Sequence, residues 1–251
     1  MEKLSESGTG MTLILTDISK HGVAMAADTA ESIEAATESG RKLRVSFGMR
    51  KLQRLPKLRG MVGTWGFGKI GLTPTDLWLD DFVTRNGHVP SLDKLAHTLC
   101  RTVQKNHGAA GAPELGFRLS GYNVGKSGPV PASYQICNYD PRGGVLSEFE
   151  VFSQKHFSDL EHAPWSTADG DTTFYRRVAT DDFRQRMRAT PDTFPVPADS
   201  LFSRADFLVA CIKFVSDLHH CAGLARTIGG GPVVITVSNA GVVTETMGHP
   251  P

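Results

Sequence analysis

Cysteine is scarce. Four are spread over 251 residues, Cys100, Cys137, Cys211 and Cys221, and no two form a Cys-x-x-Cys pair. That excludes a disulfide-stapled scaffold and a zinc site built from such pairs, and it reads as reduced thiols in a cytoplasmic protein. No uninterrupted apolar run approaches the roughly 18–20 residues that a membrane-spanning helix needs. The first ten residues, MEKLSESGTG, hold no apolar core of the kind a secretory signal carries. A charge excess is also missing, since 27 Lys+Arg stand against 26 Asp+Glu. This balance argues against a nucleic-acid binder, which must neutralise phosphates; the local basic run RKLQRLPKLR from Arg50 to Arg59 reads as a solvated strand face. His219-His220-Cys221 lacks the spacing of metal ligands, because adjacent residues on a helix point in different directions.

What is present is a chain long enough to bury about 70–75% of its unfolded surface. Residues 1–11 read as a tail or removed leader and 12–251 as one domain, since no repeat, long linker or low-complexity segment divides it. Met11–Asp17 and Val23–Asp28 are short apolar runs around SKHG, which predicts two strands and a tight turn. Thr29–Gly40 is small and polar and reads as a loop. Leu43–Phe47 and Lys51–Leu55 are further strand candidates. Gly60–Gly68 is dense in glycine, so backbone passes close to a neighbour there.

Pro74–Asn86 predicts a helix with proline in its first turn. Ser91–Asn106 carries Leu92, Leu95, Ala96, Leu99 and Val103 on one helical stripe. Gly116–Asn123 and Tyr134–Phe152 alternate as strands, the latter with a turn at Arg142-Gly143-Gly144. Asp171–Ala189 and Arg204–Cys221 read as helices, and Val233–Val237 with Val242–Thr246 as a closing hairpin. Strands, two helices, strands, two helices, strands is not the alternation of a parallel α/β sheet. It predicts an α+β chain of antiparallel sheets with helix pairs on their outer faces.

The chemistry lies in position. Thr12 opens the first strand and Asp28 ends the second, so a strand-turn-strand returns Asp28 beside Thr12. Lys51 begins another strand, and a glycine-rich turn with Gly63 and Gly66 follows. A threonine hydroxyl is a poor nucleophile at pH 7, but the free α-amine of an N-terminal threonine can act as its base. A nearby ammonium lowers the pKa of both groups, a carboxylate holds that ammonium, and amides of a glycine turn can receive an oxyanion.

Thr12-Leu13-Ile14-Leu15, His21-Gly22-Val23 and Ala26-Ala27-Asp28 together resemble the opening of proteasome β-type subunits and their bacterial relatives, including the peptidase of the two-component ATP-dependent heat-shock protease. Met49-Arg50-Lys51-Leu52 is similar to the segment that carries the family's catalytic lysine. Gly63-Thr64-Trp65-Gly66 is similar to its oxyanion turn, Trp165 to Gly170 to the segment before its third helix, and Gly229-Gly230-Gly231 with Val233-Val234-Ile235 to its late strand.

The resemblance implies a four-layer αββα sandwich of the N-terminal-nucleophile (Ntn) hydrolase type and a threonine-type endopeptidase. Thr12 is then nucleophile and base, Lys51 tunes it, Asp28 orients Lys51 and Gly66 donates to the oxyanion. No metal or organic cofactor enters. It further implies a homo-oligomeric ring, a peptide or unfolded-protein substrate and an ATP-dependent unfoldase as partner, with neither nucleic acid nor membrane.

Lys42 is a weaker candidate for the lysine role, and Thr9 for the processed N-terminus. Asp169 and Arg226 stand where the family has a serine and an aspartate, and a pairing of the two across the site is expected. Two alternatives stay open: a small-substrate amidohydrolase on the same fold, and a ring-forming subunit without activity.

Overall fold

The computed structural model describes residues 12–37, 40–107, 112–125, 128–140, 145–154, 157, 160, 165–170, 200–221 and 228–247. In chain order the strands are β1 (Leu13–Ser19), β2 (Gly22–Ala27), β3 (Ala30–Thr37), β4 (Gly40–Phe47), β5 (Leu52–Leu55), β6 (Gly60–Gly66), β7 (Lys69–Ile70), β8 (Thr73–Pro74), β9 (Leu115–Gly125), β10 (Gly128–Tyr139), β11 (Val145–Gln154), β12 (Trp165–Gly170), β13 (Val233–Ser238) and β14 (Val243–Met247). The described helices are α1 (Thr75–Asn86), α2 (Leu92–His107) and α3 (Leu201–Cys221).

Ten strands form two antiparallel five-stranded sheets, ordered β12-β1-β2-β13-β14 and β11-β10-β9-β6-β5. Strand alternation divides their side chains among three apolar clusters. Ile14, Ile18, Val23, Met25 and Ile235 of the first sheet meet Leu52, Met61, Trp65 and Tyr122 of the second. On the other face of the first sheet, Leu13, Leu15, Ala24 and Ala26 pack against Leu208, Ile212 and Val215 of α3. On the other face of the second, Val62, Phe117, Leu119 and Tyr134 pack against Leu79 and Phe82 of α1 and the α2 stripe of Leu92, Leu95, Leu99 and Val103. The molecule is thus α+β, with the sheets face to face and helices outside them.

Gly63 marks how close the sheets approach. A Cβ there would lie 2.8 Å from Leu52 Cδ2 and 2.9 Å from Ile14 Cδ1. The close passage expected of the glycine-dense segment is therefore the sheet-to-sheet contact itself.

Two expectations are corrected. Residues 30–37, read as loop, form β3, which pairs with β4 from Ala30↔Phe47 to Thr37↔Gly40. Small polar residues have weak strand preference, and a hairpin ladder overrides it. Trp165–Gly170, read only as the approach to a helix, is strand β12, paired with β1 from Leu13↔Gly170 to Ile18↔Trp165. The helix expected at 171–189 lies outside the described residues. A third expectation changes as well: Gly60–Gly66, read as a glycine-rich turn, is strand β6, laddered on both sides, with Gly63 opposite Leu52 of β5 and Arg118 of β9, because the close approach of the other sheet leaves no room for a side chain there. The short strands β7 and β8 were not expected, and the turn expected at 142–144 lies outside the described residues. The other elements match within a few residues, apart from β10, which begins at Gly128.

Candidate active site

Thr12 precedes β1 and is 4% exposed; Asp28 follows β2 and is fully buried; Lys51 precedes β5 and is 2% exposed. The hairpin of β1 and β2 pairs Ile14 with Ala27, so Asp28 returns to the start of β1. There its Oδ1 accepts a hydrogen bond from the Leu13 amide at 2.9 Å, one residue from Thr12. Lys51 comes from the opposite sheet, and its Nζ donates to both Asp28 oxygens at 3.0 Å. Asp28 Oδ2 also accepts from the amides of Ala30 at 3.1 Å and Gly229 at 3.4 Å. One carboxylate therefore joins the start of β1, the start of β3, the Gly229 turn and the lysine. The Gly229 turn is clamped a second time, since Thr29 N donates to Gly229 O at 3.0 Å.

Burial acts on both charges. It pushes the Asp28 carboxyl above the usual carboxylate range; the Lys51 ammonium and the amides of Leu13 and Ala30 offset this in part. Burial pushes Lys51 down from the ordinary lysine value, and the Asp28 charge, then that of Glu31, works the other way. The pair is held in low dielectric, where each charge compensates the other.

Gly66 ends β6 with φ +94, a left-handed angle that favours glycine. A Cβ there would lie 2.3 Å from Glu114 O. Thr12 and Gly66 line one pocket with Glu31, Met49, Trp65 and Phe67. Thr75 braces its wall: its amide donates to Gly68 O at 2.9 Å and its hydroxyl to Phe67 O at 2.9 Å. Trp65 belongs to the inter-sheet core and also faces the pocket, and its Nε1 donates to Tyr139 OH at 2.7 Å.

Of the residues singled out in the sequence, Asp28 and Lys51 are in contact, Thr12 adjoins the amide that Asp28 binds, and Gly66 shares a pocket with Thr12. Thr9 and Arg226 lie outside the described residues, as does the Lys42 side chain, whose backbone is in β4.

Asp169 is held by a residue that sequence reasoning passed over. Arg118 of β9 donates from Nε to Oδ2 at 2.8 Å and from Nη2 to Oδ1 at 2.5 Å, while its Nη2 also reaches Gln135 Oε1 at 3.1 Å. Asp169 stands beside Ile14 in one sheet and Arg118 beside Gly63 in the other. This second ion pair therefore crosses the sheet interface close to Thr12. Its one signal in the sequence is a lone arginine in the alternating run Gly116 to Gly121, which reads equally well as a solvated strand face.

Among the described residues no group of three or more His, Cys, Asp or Glu is arranged to hold a metal ion, and no helix is long and apolar enough to cross a membrane.

No protein-family profile matches the sequence, and no curated protein matches it. Among solved structures, the fold is similar to that of Anbu (ancestral beta-subunit) from Yersinia bercovieri, with a TM-score of 0.54 at 13% identity, over 94% of this chain and 86% of that one. At that identity the likeness shows a shared fold.

Proposed function

We propose that this chain is a threonine-type endopeptidase subunit of a proteasome-like, self-compartmentalising complex, built as a four-layer αββα sandwich over residues 12–251. The observation that carries the reading is the Asp28 carboxylate. It binds the amide next to Thr12 and holds Lys51 through both of its oxygens, in a buried setting beside a pocket that contains Thr12 and Gly66. The fold shared with an ancestral beta-subunit supports it.

The chemistry starts once Thr12 becomes the first residue. Its α-amine takes the proton from Oγ1 as Oγ1 attacks the scissile carbonyl carbon. The resulting oxyanion is received by the Gly66 amide, a kind of contact worth about 2.7–4 kcal/mol of barrier. Collapse breaks the C–N bond, and the leaving amine takes the proton from the Thr12 ammonium. The acyl group remains as an ester on Oγ1. Water, deprotonated by the same amine, attacks that ester; the C–Oγ1 bond breaks, Oγ1 takes the proton back from the Thr12 ammonium, and the acid leaves. The Lys51 ammonium lowers the pKa of hydroxyl and amine throughout, and Asp28 keeps it in place. The scheme calls on no metal or organic cofactor.

A homo-oligomeric ring, unfolded protein as substrate and an ATP-dependent unfoldase as partner belong to the same proposal. Intact mass with N-terminal sequencing of the native protein tests it. The expected mature chain begins at Thr12 and gains the mass of one epoxyketone inhibitor there; a mature chain beginning at Met1 defeats the scheme. A ring-forming subunit without activity is the second reading, favoured by Asp169, whose carboxylate is taken up by Arg118 at the auxiliary position. Labelling of Thr12 by the epoxyketone excludes it.

A further inference from the structure

We propose that Glu31 makes the Thr12 pocket selective for a lysine or arginine side chain next to the scissile bond, on its acyl side. This rests on the reading of Thr12 as the nucleophile, because that reading places the scissile carbonyl in this pocket.

Among the described residues, Glu31 is the one charged side chain lining the pocket; its other walls include Met49, Trp65 and Phe67. A small pocket in which a carboxylate stands beside the hydrocarbon of Met49, Trp65 and Phe67 suits a side chain whose stem can lie on those walls and whose head is a cation, the build of lysine and arginine. The carboxylate is positioned from both sides. Its Oε2 accepts a hydrogen bond from Ser46 Oγ at 3.2 Å, across the β3–β4 ladder, where Glu31 and Ser46 are direct partners. Its Oε1 lies 3.5 Å from the point a Cβ on Gly68, another residue of the pocket lining, would occupy.

The backbone that carries Glu31 is anchored one residue away, where the Ala30 amide donates to Asp28. The anchor that organises Lys51 thus also fixes where β3 enters the pocket. Nor is the Glu31 charge consumed by the catalytic lysine, whose Nζ already meets both oxygens of Asp28. Among the described residues, the hydrogen bond Glu31 accepts comes from a neutral hydroxyl, which leaves acceptor capacity for a cation. An acidic substrate side chain would meet repulsion in the same place.

The test compares tripeptide amides ending in arginine, norleucine and glutamate. Their binding to the full chain is followed by calorimetry, and the matching coumarin amides are assayed for hydrolysis. The arginine peptide is expected to bind roughly two- to fivefold more tightly than the norleucine peptide, the range of a half-exposed charge pair, and the margin shrinks as salt rises. Glu31→Gln removes the margin, and Glu31→Lys turns the preference toward the glutamate peptide, with unchanged melting temperatures as the check on folding.

Equal binding of the arginine and norleucine peptides overturns the proposal, as does a margin that survives Glu31→Gln. Charge-dependent binding without hydrolysis of any peptide sustains the assignment of Glu31 and removes that of Thr12. Hydrolysis that ignores charge does the reverse.

Discussion

Two buried ion pairs cross the interface between the sheets, and they are built differently. Lys51–Asp28 and Arg118–Asp169 each join one sheet to the other, and all four side chains are almost fully buried. Asp28 is surrounded by donors: the ammonium and the amides of Leu13, Ala30 and Gly229. Asp169 is met by the two-pronged contact of a guanidinium, which Gln135 also holds. An ammonium yields its proton when burial pushes its pKa down, whereas a guanidinium keeps its proton and fixes geometry. The lysine pair is therefore suited to tuning a neighbour's protonation, and the arginine pair to holding two strands in register. Lysine stands where Thr12 needs an adjustable charge, and arginine where β12 needs a fixed anchor.

The largest expected effect separates the pairs by activity. Lys51→Met should lower peptide hydrolysis by about 10²–10⁴, the range for loss of a group that tunes proton transfer. Combining it with Asp28→Leu should restore neither activity nor full stability, since the amides that Asp28 accepts from lose their acceptor at about 1–3 kcal/mol each. Arg118→Met combined with Asp169→Leu replaces a pair that, among the described residues, is held by side chains rather than backbone amides, so hydrolysis should stay within about tenfold of wild type. Equal loss from the two double variants would erase the proposed division of labour.

Arg118→Met alone should show the next effect, in stability. It strands the Asp169 carboxylate between the sheets, at a cost of about 3–5 kcal/mol in a denaturant melt. Adding Asp169→Leu should recover most of that loss. A single variant as stable as wild type would mean that water reaches Asp169 and that the pair does not anchor β12.

A smaller effect connects the two regions. Gly170 follows Asp169, has φ +85, and a Cβ on it would lie 1.9 Å from Thr12 O. Gly170→Ala should therefore displace the start of β1 at a cost of about 1–3 kcal/mol. Epoxyketone labelling of Thr12 should slow more than the melt shifts, since the clash falls on Thr12 itself. Unchanged labelling would separate β12 from the candidate site.

The same contrast explains what the sequence disclosed. Asp28 and Lys51 were legible because local geometry determines them: a short hairpin returns Asp28 to its own start, and Lys51 opens the next strand of the core. The α2 stripe was legible because helical period and burial agree there. Arg118 was not, because in an alternating strand the face without apolar residues looks solvated unless a second sheet covers it, and that is a property of the whole fold. Glu31 was missed for a related reason. Thr29–Gly40 has no strand-forming composition, and its partner at 40–47 supplies the ladder that places Glu31 over the pocket. The pairing proposed for Asp169 and Arg226 drew on family positions, and Arg226 lies outside the described residues; Arg118, which holds Asp169, comes from the opposite sheet.

The smallest effect concerns a thiol beside the arginine pair. Burial pushes Cys137 from 9.0 up to about 12, with a further push from the Asp169 charge, and burial alone pushes Tyr122 from 10.0 up to about 12. In both cases the folded state holds its proton at a pH where the unfolded chain has released it. Their contributions are fully present below pH 9 for Cys137 and below pH 10 for Tyr122, and each is lost as pH rises from there toward about 12, by at most about 1.4 kcal/mol per pH unit for each group. Lys51 contributes with the opposite sign. Its folded pKa lies below 10.5, so the unfolded chain holds more protons and stability rises with pH over that interval. The informative quantity is therefore the difference between wild type and Cys137→Ala, in which the lysine contribution cancels. Thermal melts between pH 8 and 10.5 should show wild type losing stability faster than Cys137→Ala as pH rises. Parallel curves would mean that Cys137 ionises in the folded protein as readily as in the unfolded chain, and that the interface beside Asp169 is wet.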